Sequence, residues 1–139
     1  MLADCLLPGV VIGLNGTLGS GKTRFAQGLG EGLGIDPDNI TSPTFTLCVP
    51  YQGRLPLLHL DVYRIRNPEE IDELGLDEWI ENGSVLVIEW YHRFANFLPP
   101  LDIEINFDLQ SDDSRRIQLE YLTCRMTPLP ENVPGTTTQ

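Results

Sequence analysis

One octapeptide near the start of the chain constrains its fold more than any other feature. Residues 16–23 read Gly-Thr-Leu-Gly-Ser-Gly-Lys-Thr and fit the pattern G-x-x-x-x-G-K-[ST] at every fixed position. Glycines allow the backbone to curl so that successive N–H groups point inward, and a helix that follows adds the positive end of its dipole. The octapeptide therefore predicts a loop that binds phosphate groups, placed between a strand and a helix.

The segments on both sides of this loop have the patterns that it requires. Gly9–Leu14 is a short, nearly continuous apolar run, which is typical of a buried parallel strand. Lys22–Leu33 carries an apolar stripe at every fourth position and precedes Gly34, so we predict a helix that ends there. Glycines inside this helix weaken it, and we attribute their presence to close packing against the sheet. Lys22 is the only lysine in the chain, which argues against a chance match.

The rest of the chain adds further strands and a helix. The predicted elements are a loop that becomes a strand over Ile40–Val49, a hairpin turn over Pro50–Arg54, strands over Leu55–Tyr63 and Ser84–Glu89, a helix that opens at Asn67-Pro68-Glu69-Glu70, and antiparallel strands over Asp102–Leu109 and Arg115–Leu122. The fold class is therefore α/β, a P-loop nucleotide-binding domain with a mostly parallel central sheet and added antiparallel strands from the C-terminal part. We assign residues 1–125 to this domain and expect the proline- and threonine-rich tail, residues 126–139, to be disordered.

Composition limits the surfaces with which the chain can associate. The net charge of −11 gives a field that repels nucleic acid and anionic membranes, although backbone amides and a metal can still hold a nucleotide locally. No apolar run approaches the roughly 20 residues that a membrane span needs. The three cysteines lie far apart and include no CxxC pair, so we expect reduced thiols and a cytoplasmic protein.

Lys22 and Thr23 close the loop and supply its side-chain chemistry. Lys22 can reach the β and γ phosphates, and the Thr23 hydroxyl can bind Mg²⁺. Hydrolysis needs the metal to be held from its far side as well. Glu89 directly follows the apolar run Val85–Ile88, so we predict that it lies at the carboxyl edge of the sheet and binds Mg²⁺. The alternative is a strand-end carboxylate that only meets solvent.

Three further residues are candidates for the same site. Asp61 ends the apolar stretch Leu57–Leu60 and could position or deprotonate the attacking water, or else cap a turn. Thr44 could sense the γ-phosphate through Mg²⁺, as the threonine of a switch loop does, or bond its own backbone. Trp90 could contact the base or a partner, or pack at the rim of the core.

The nucleotide base and the remaining polar residues are less constrained. No Asn-Lys-x-Asp that would select guanine occurs in the chain, so we expect ATP. His59 and His92 lack metal-ligand spacing and are interpreted as structural. Arg115 and Arg116 could contact the nucleotide or a partner, but a solvated strand face is the simpler interpretation.

Taken together, these residues resemble the TsaE family, the ATPase subunit of the bacterial machinery that makes threonylcarbamoyladenosine in tRNA. The similarity extends from Val10 to about Leu122, and the order and spacing of its motifs are specific. Those motifs are Gly16–Thr23, Thr41–Leu47, His59–Arg64, Pro68-Glu69-Glu70 with Leu74-Gly75, and Val87–Trp90.

The resemblance implies Mg²⁺-dependent binding and hydrolysis of ATP in support of threonylcarbamoyladenosine formation at adenosine 37 of tRNA. It also implies a TsaD–TsaB complex as partner, with tRNA contacted only through that complex. Carried over by motif, the nucleotide would be bound by Gly16, Thr17, Leu18, Gly19, Ser20, Gly21, Lys22, Thr23 and Arg24. Thr23 and Glu89 would hold Mg²⁺, while Asp61 and Thr44 would serve hydrolysis. We expect slow turnover in isolation, because the chain offers no obvious arginine finger.

Other functions are open from the residues alone. A small-molecule phosphotransferase shares the loop but needs an acceptor pocket and usually an arginine-rich lid, for which Arg64 and Arg66 are the only close pair near the predicted site. A nucleotide-dependent binding module would use ATP only to set its shape. Direct contact with tRNA through an arginine patch is the alternative to contact through a protein complex.

Overall fold

The structure is a computed structural model that describes residues 6–16, 22–36, 38, 48–63, 65–109 and 115–122, with the backbone alone at residues 22, 23, 109, 115, 116 and 121. Its elements are, in chain order, β1 (Val11–Gly16), α1 (Lys22–Gly32), β2 (Cys48–Tyr51), β3 (Leu57–Asp61), α2 (Glu69–Asp72), α3 (Leu76–Glu81), β4 (Val85–Glu89), a 3₁₀ segment (Tyr91–Phe97), β5 (Ile103–Leu109) and β6 (Arg115–Tyr121). Within the described ranges, no helix is both long enough and apolar enough to cross a membrane.

The strands of the described residues form one six-stranded sheet in the order β2-β3-β4-β1-β5-β6. The four inner strands run parallel, whereas β2 pairs antiparallel with β3 and β6 pairs antiparallel with β5. This confirms the predicted mixed α/β fold with a mostly parallel centre. The two C-terminal strands pair antiparallel with each other as predicted, but β5 itself is parallel to β1, and the second antiparallel edge strand, β2, comes from the first half of the chain. The inner strands therefore end at one common edge, which is where their C-terminal residues meet.

Both faces of the central strands are buried, which explains their nearly continuous apolar sequences. Because side chains alternate along a strand, each strand contributes to two separate cores. One core lies against α1 and includes Ile12, Leu14, Ala26, Leu29, Leu33, Leu57, Val85, Val87, Ile103 and Ile105. The other lies against α2, α3 and the 3₁₀ segment and includes Val11, Leu58, Leu60, Ile71, Leu76, Leu86, Ile88 and Tyr91.

The first strand lies two residues further along the chain than predicted. Gly9 belongs to a turn and has a φ of 83°, a backbone conformation that favours glycine. At the other end, Asn15 and Gly16 still pair with Asn106 and Phe107 of β5. The strand therefore continues into the first residue of the octapeptide.

The prediction of a turn over Pro50–Arg54 is wrong at its start. Pro50 lies within β2, opposite Leu58 of β3. Since β2 is an edge strand, it tolerates a residue that has no N–H to donate. The turn itself contains Gly53, where an added Cβ would lie 2.4 Å from the Leu33 carbonyl oxygen. The next residue, Arg54, donates its backbone N–H to that oxygen over 2.6 Å, which joins the turn to the end of α1.

Helix α1 has nearly the predicted bounds, but the explanation given for its glycines is not confirmed at Gly28. It begins at Lys22, and Gly34 beyond its end has a φ of 85°, as a helix stop requires. At Gly28, however, a Cβ would meet nothing within 4 Å. Close packing against the sheet is therefore the wrong reason for this glycine.

The predicted opening of the next helix is confirmed in part. The Glu70 carboxylate accepts the backbone N–H of Asn67 over 3.1 Å and that of Arg66 over 2.8 Å, which is one half of a capping box. These bonds, the one from Asn67 first, hold the pKa of Glu70 below its ordinary value. The helix is short, because Gly75 at a φ of 65° separates α2 from α3.

Candidate functional site

The octapeptide begins at the carboxyl end of the central strand β1. Strand β1 ends at Gly16, and α1 begins at Lys22. Gly16 has a φ of 152°, a backbone conformation that residues other than glycine rarely adopt. The first fixed glycine is therefore required by the backbone at the point where the chain leaves the sheet.

Several predicted residues lie outside the part of the chain that can be described. These are Thr17, Leu18, Gly19, Ser20, Gly21 and Thr44, together with the side chains of Lys22 and Thr23. Their roles in binding nucleotide, metal or water stay predictions. Arg24 is described, and it is exposed in the first turn of α1.

Asp61 and Glu89 are carboxylates at the same edge, at the ends of β3 and β4. They are direct register partners at the ends of β3 and β4, and Glu89 is also the register partner of Leu14 in β1. Alternation along the strands places both side chains on the face that α1 covers, the face to which Leu57 and Val87 belong. The two carboxylates thus lie on the α1 side of the sheet, near the strand that leads into the octapeptide.

The two carboxylates differ in exposure. Glu89 is only 3% exposed, so the alternative of a strand-end carboxylate in solvent is wrong. Asp61 is half-buried, and its Oδ1 accepts the backbone N–H of Tyr63 over 2.9 Å. The turn-capping alternative for Asp61 is therefore present.

His59 is a member of this site that the sequence interpretation did not connect with it. Its ring is fully buried, and Nε2 lies 2.8 Å from Oε2 of Glu89. Its other nitrogen, Nδ1, is buried and has no hydrogen-bond partner among the described residues. A signal was available, because His59 precedes Asp61 by two residues and therefore shares its face of β3.

The donor set of the described residues is compatible with Mg²⁺. These residues contain no group of three or more His, Cys, Asp or Glu that could form a metal cage. Mg²⁺ does not need one, since it is usually bound by one or two carboxylates, with phosphate oxygens and water completing the octahedron. Glu89 and Asp61 offer hard oxygen ligands of that kind at adjacent strand ends.

Trp90 directly follows Glu89 and has a left-handed backbone, with φ 63° and ψ 33°. This conformation is strained for a bulky residue and is found most often at functional positions. The indole packs against the ring of Tyr63 with centroids 4.8 Å apart, and it also touches the second core. The packing alternative for Trp90 is therefore present, and contact with a base or a partner stays a prediction.

A cleft of about 530 Å³ opens beside Trp90. It is lined by Asn15, Gly16, Trp90, His92, Arg93, Glu104, Asn106, Phe107 and Asp108. On its wall, the Asn15 amide donates to Glu104 over 2.6 Å and to Asn106 over 3.1 Å, and His92 contacts the same Glu104 oxygen. Burial, aided by the charge of Glu104, raises the pKa of Tyr91 beside this group. His92 thus belongs to a polar cluster that sequence spacing did not indicate.

Comparisons with known proteins agree on one family. Residues 1–117 match the family model described as Threonylcarbamoyl adenosine biosynthesis protein TsaE. The tRNA threonylcarbamoyladenosine biosynthesis protein TsaE of Treponema pallidum (strain Nichols) is 45% identical over 109 residues, which cover 78% of this chain and 80% of that protein. The protein of the same name from Bacillus subtilis (strain 168) is 44% identical over 111 residues, or 79% of this chain and 68% of that protein.

A solved structure supports the same assignment. The crystal structure of YdiB from Bacillus subtilis superposes with a TM-score of 0.65 and 40% sequence identity, covering 83% of this chain and 70% of that one. Because the family model covers most of the chain and the relatives are well above 30% identity, this chain belongs to the TsaE family.

Proposed function

We propose that this protein binds and hydrolyses ATP with Mg²⁺, and that this cycle supports the formation of threonylcarbamoyladenosine in tRNA. The modification named in its relatives suggests the process, and the resemblance of its motifs suggests adenosine 37 as the modified position. The partner would be a TsaD–TsaB complex in the cytoplasm. A net charge of −11 favours contact with tRNA through that complex over direct contact.

One observation carries the proposal. The octapeptide with the phosphate-loop pattern begins where β1 ends, and two carboxylates pair in register at the ends of β3 and β4 on the same face of the sheet. Phosphate and its metal are bound at this edge in open α/β sheets. The backbone N–H groups of residues 16–21 and the Lys22 ammonium would bind the phosphates, and the remaining residues would act around them.

Within this site each residue has a distinct task. Thr23 and Glu89 would hold Mg²⁺, which supplies charge neutralisation on the phosphate oxygens. Asp61 is more exposed than Glu89, so it can accept a hydrogen bond from a water molecule and orient that water. Thr44 would complete the response to the γ-phosphate, while Arg24 and Trp90 would contact the nucleotide or a partner.

The position of Arg93 supports the expectation of slow turnover in the isolated protein. This arginine lines the cleft, but its guanidinium lies 5.6 Å from the ring centroid of Tyr63 and donates to the Ile65 carbonyl over 3.5 Å. A guanidinium held in this way is not poised to stabilise the transferred phosphoryl group. A partner or a rearrangement would have to complete the site.

The experiment compares Asp61→Asn with the matched variant Asp72→Asn, whose carboxylate is exposed on α2. We expect Asp61→Asn to bind ATP with Mg²⁺ as the wild type does but to release phosphate about 100-fold more slowly or worse, both alone and with TsaD–TsaB. Asp72→Asn should behave as the wild type. Normal hydrolysis by Asp61→Asn would show that this carboxylate does not serve the water.

The same assay separates the other functions. Transfer of phosphate to a small hydroxyl acceptor at a rate well above hydrolysis would identify a phosphotransferase instead. ATP binding with no phosphate release in the presence of every partner would identify a nucleotide-dependent binding module. Our proposal requires phosphate release that increases when TsaD–TsaB is added.

A further inference from the structure

The hydrogen bond between His59 and Glu89 is the feature of the buried sheet that packing does not explain. His59 lies in β3 between Leu58 and Leu60, and its side chain is completely buried. Burial of a polar ring costs free energy unless each polar atom finds a partner, and Nδ1 has none among the described residues. An apolar side chain would fill this position in the core without that cost.

The contacts of the imidazole ring favour one of its two neutral tautomers. If Nε2 carries the hydrogen, it donates to Oε2 of Glu89 over 2.8 Å, and Nδ1 is left as an acceptor without a donor. The opposite tautomer would bury an N–H group without an acceptor and would turn the Nε2 lone pair towards a carboxylate oxygen. That tautomer would therefore combine an unpaired buried Nδ1–H group with repulsion between the Nε2 lone pair and the Glu89 carboxylate. The structure thus supports the tautomer in which Nε2–H donates to Glu89.

We propose that His59 is the positioning residue of Glu89: its Nε2–H group fixes the orientation of the Glu89 carboxylate and thereby sets the affinity of the site for Mg²⁺. This inference rests on the proposed function, in which Glu89 binds the metal. A glutamate side chain has three rotatable bonds, and orientation before binding removes the entropic cost of orienting it afterwards. Residues that hydrogen-bond a metal ligand typically change metal affinity by about 10- to 100-fold when they are replaced.

The strand register explains why His59 can do this and Asp61 cannot. Glu89 pairs with Asp61, so the two side chains are side by side at the strand ends, whereas His59 pairs with Val87 one step deeper on the same face. His59 therefore approaches Oε2 of Glu89 from one step deeper in the sheet. The histidine binds no substrate in this account and acts only through Glu89.

The test measures ATP binding by calorimetry in the presence of Mg²⁺ and again in EDTA. The Kd measured in EDTA divided by the Kd measured with Mg²⁺ gives the factor by which the metal strengthens ATP binding. This Kd ratio does not depend on hydrolysis. The variants are His59→Gln, whose amide nitrogen reaches the position of Nε2, and His59→Asn, whose amide nitrogen reaches only the position of Nδ1. His59→Leu removes both nitrogens and suits the apolar neighbours if His59→Asn does not fold.

We expect His59→Asn and His59→Leu to lower the Kd ratio about tenfold or more, with little change in the Kd measured in EDTA. His59→Gln should restore most of the ratio. A merely structural histidine would instead change the thermal midpoint of all three variants and leave the ratio as in the wild type, which would overturn the inference. If the wild type itself bound no ATP, or bound it equally well with and without Mg²⁺, the proposed function would fail first.

Discussion

Asp61 and Glu89 are register partners at the last positions of two parallel strands, yet one is half-buried and the other only 3% exposed. This difference arises because β4 lies between β3 and β1, whereas β3 adjoins the edge strand β2. A buried carboxylate with a hydrogen-bonded neighbour suits a fixed metal ligand. A more accessible carboxylate suits a water molecule that is replaced in each cycle.

The first prediction concerns the charge of Glu89. The variant Glu89→Gln keeps the size of the side chain and an oxygen that can accept from His59, but it removes the negative charge. We expect the Mg²⁺ concentration for half-maximal ATP hydrolysis to rise about tenfold or more, since even the loss of an indirect metal partner has an effect of this size. Phosphate release measured across a Mg²⁺ titration checks this.

The matched control for Glu89 is Glu120→Gln, on the outer strand β6. Its Mg²⁺ dependence should equal that of the wild type. An unchanged Mg²⁺ titration for Glu89→Gln would remove Glu89 from the metal site.

The second prediction uses the two tryptophans. Trp90 and Gly16 both line the cleft, whereas Trp79 lies in α3 and is not one of the lining residues. We expect ATP to change the fluorescence of the wild type and of Trp79→Phe, but not that of Trp90→Phe. A nucleotide-induced change that persists in Trp90→Phe would place Trp90 away from the nucleotide.

The third prediction compares two glycines. An added methyl group at Gly53 would lie 2.4 Å from a backbone carbonyl oxygen that cannot move without shifting the end of α1. We expect Gly53→Ala to reduce the free energy of unfolding by about 1–3 kcal/mol. At Gly28 the space is open, and alanine is a better helix former than glycine. Gly28→Ala should therefore increase the free energy of unfolding by about 0.5–1 kcal/mol.

Urea unfolding of both glycine variants checks this pair. Because the two variants are expected to change the free energy of unfolding in opposite directions, a general effect of adding a methyl group cannot produce the predicted result. Equal destabilisation by both substitutions would contradict the structure around α1 and its contact with Arg54.

The fourth prediction concerns pH. Burial raises the pKa of the half-buried Cys48 thiol from 9.0 to about 11. In the unfolded chain the thiol loses its proton near pH 9 while the folded protein still holds it, so unfolding releases a proton between these values and stability falls as the pH rises from 9 to 11. Below pH 9 the contribution of Cys48 to stability is fully retained.

The Cys48→Ala variant isolates this effect. Urea midpoints measured across the same pH range should fall less steeply in the variant than in the wild type. Identical slopes would show that the thiol is as accessible in the folded protein as in the unfolded chain.

The sequence was most informative where a signal is local. Residues Val85–Glu89 form an apolar run that ends in an acid, and they make up a central strand with that acid at its end. The start of α1 at Lys22 was also predicted correctly, because the last two residues of the octapeptide pattern are the first two residues of the helix. Edge strands carry a weaker pattern, and for that reason the position of Pro50 in β2 was missed.

The parts of the site that could not be predicted depend on register between distant segments. A single histidine inside an apolar run is usually a core residue, and the contact between His59 and Glu89 appears only once β3 and β4 are aligned. The cluster of Asn15, Glu104 and His92 likewise joins three segments that no motif connects. Spacing along the chain can place His59 on the same strand face as Asp61, but it does not show which residue of another strand lies opposite.

The central claim is that the octapeptide and its single lysine bind the triphosphate of ATP beside Mg²⁺. A calorimetric titration of ATP and Mg²⁺ into the wild type and into Lys22→Ala, with Arg66→Ala as a control for the loss of an exposed positive charge, tests it most directly. We predict saturable binding to the wild type and to Arg66→Ala, and binding to Lys22→Ala that is weaker by about 10- to 100-fold or lost, since one charge-assisted hydrogen bond contributes about 1.5–3 kcal/mol. No heat from the folded wild type, alone or with TsaD–TsaB, or equal affinity of Lys22→Ala, would contradict the claim.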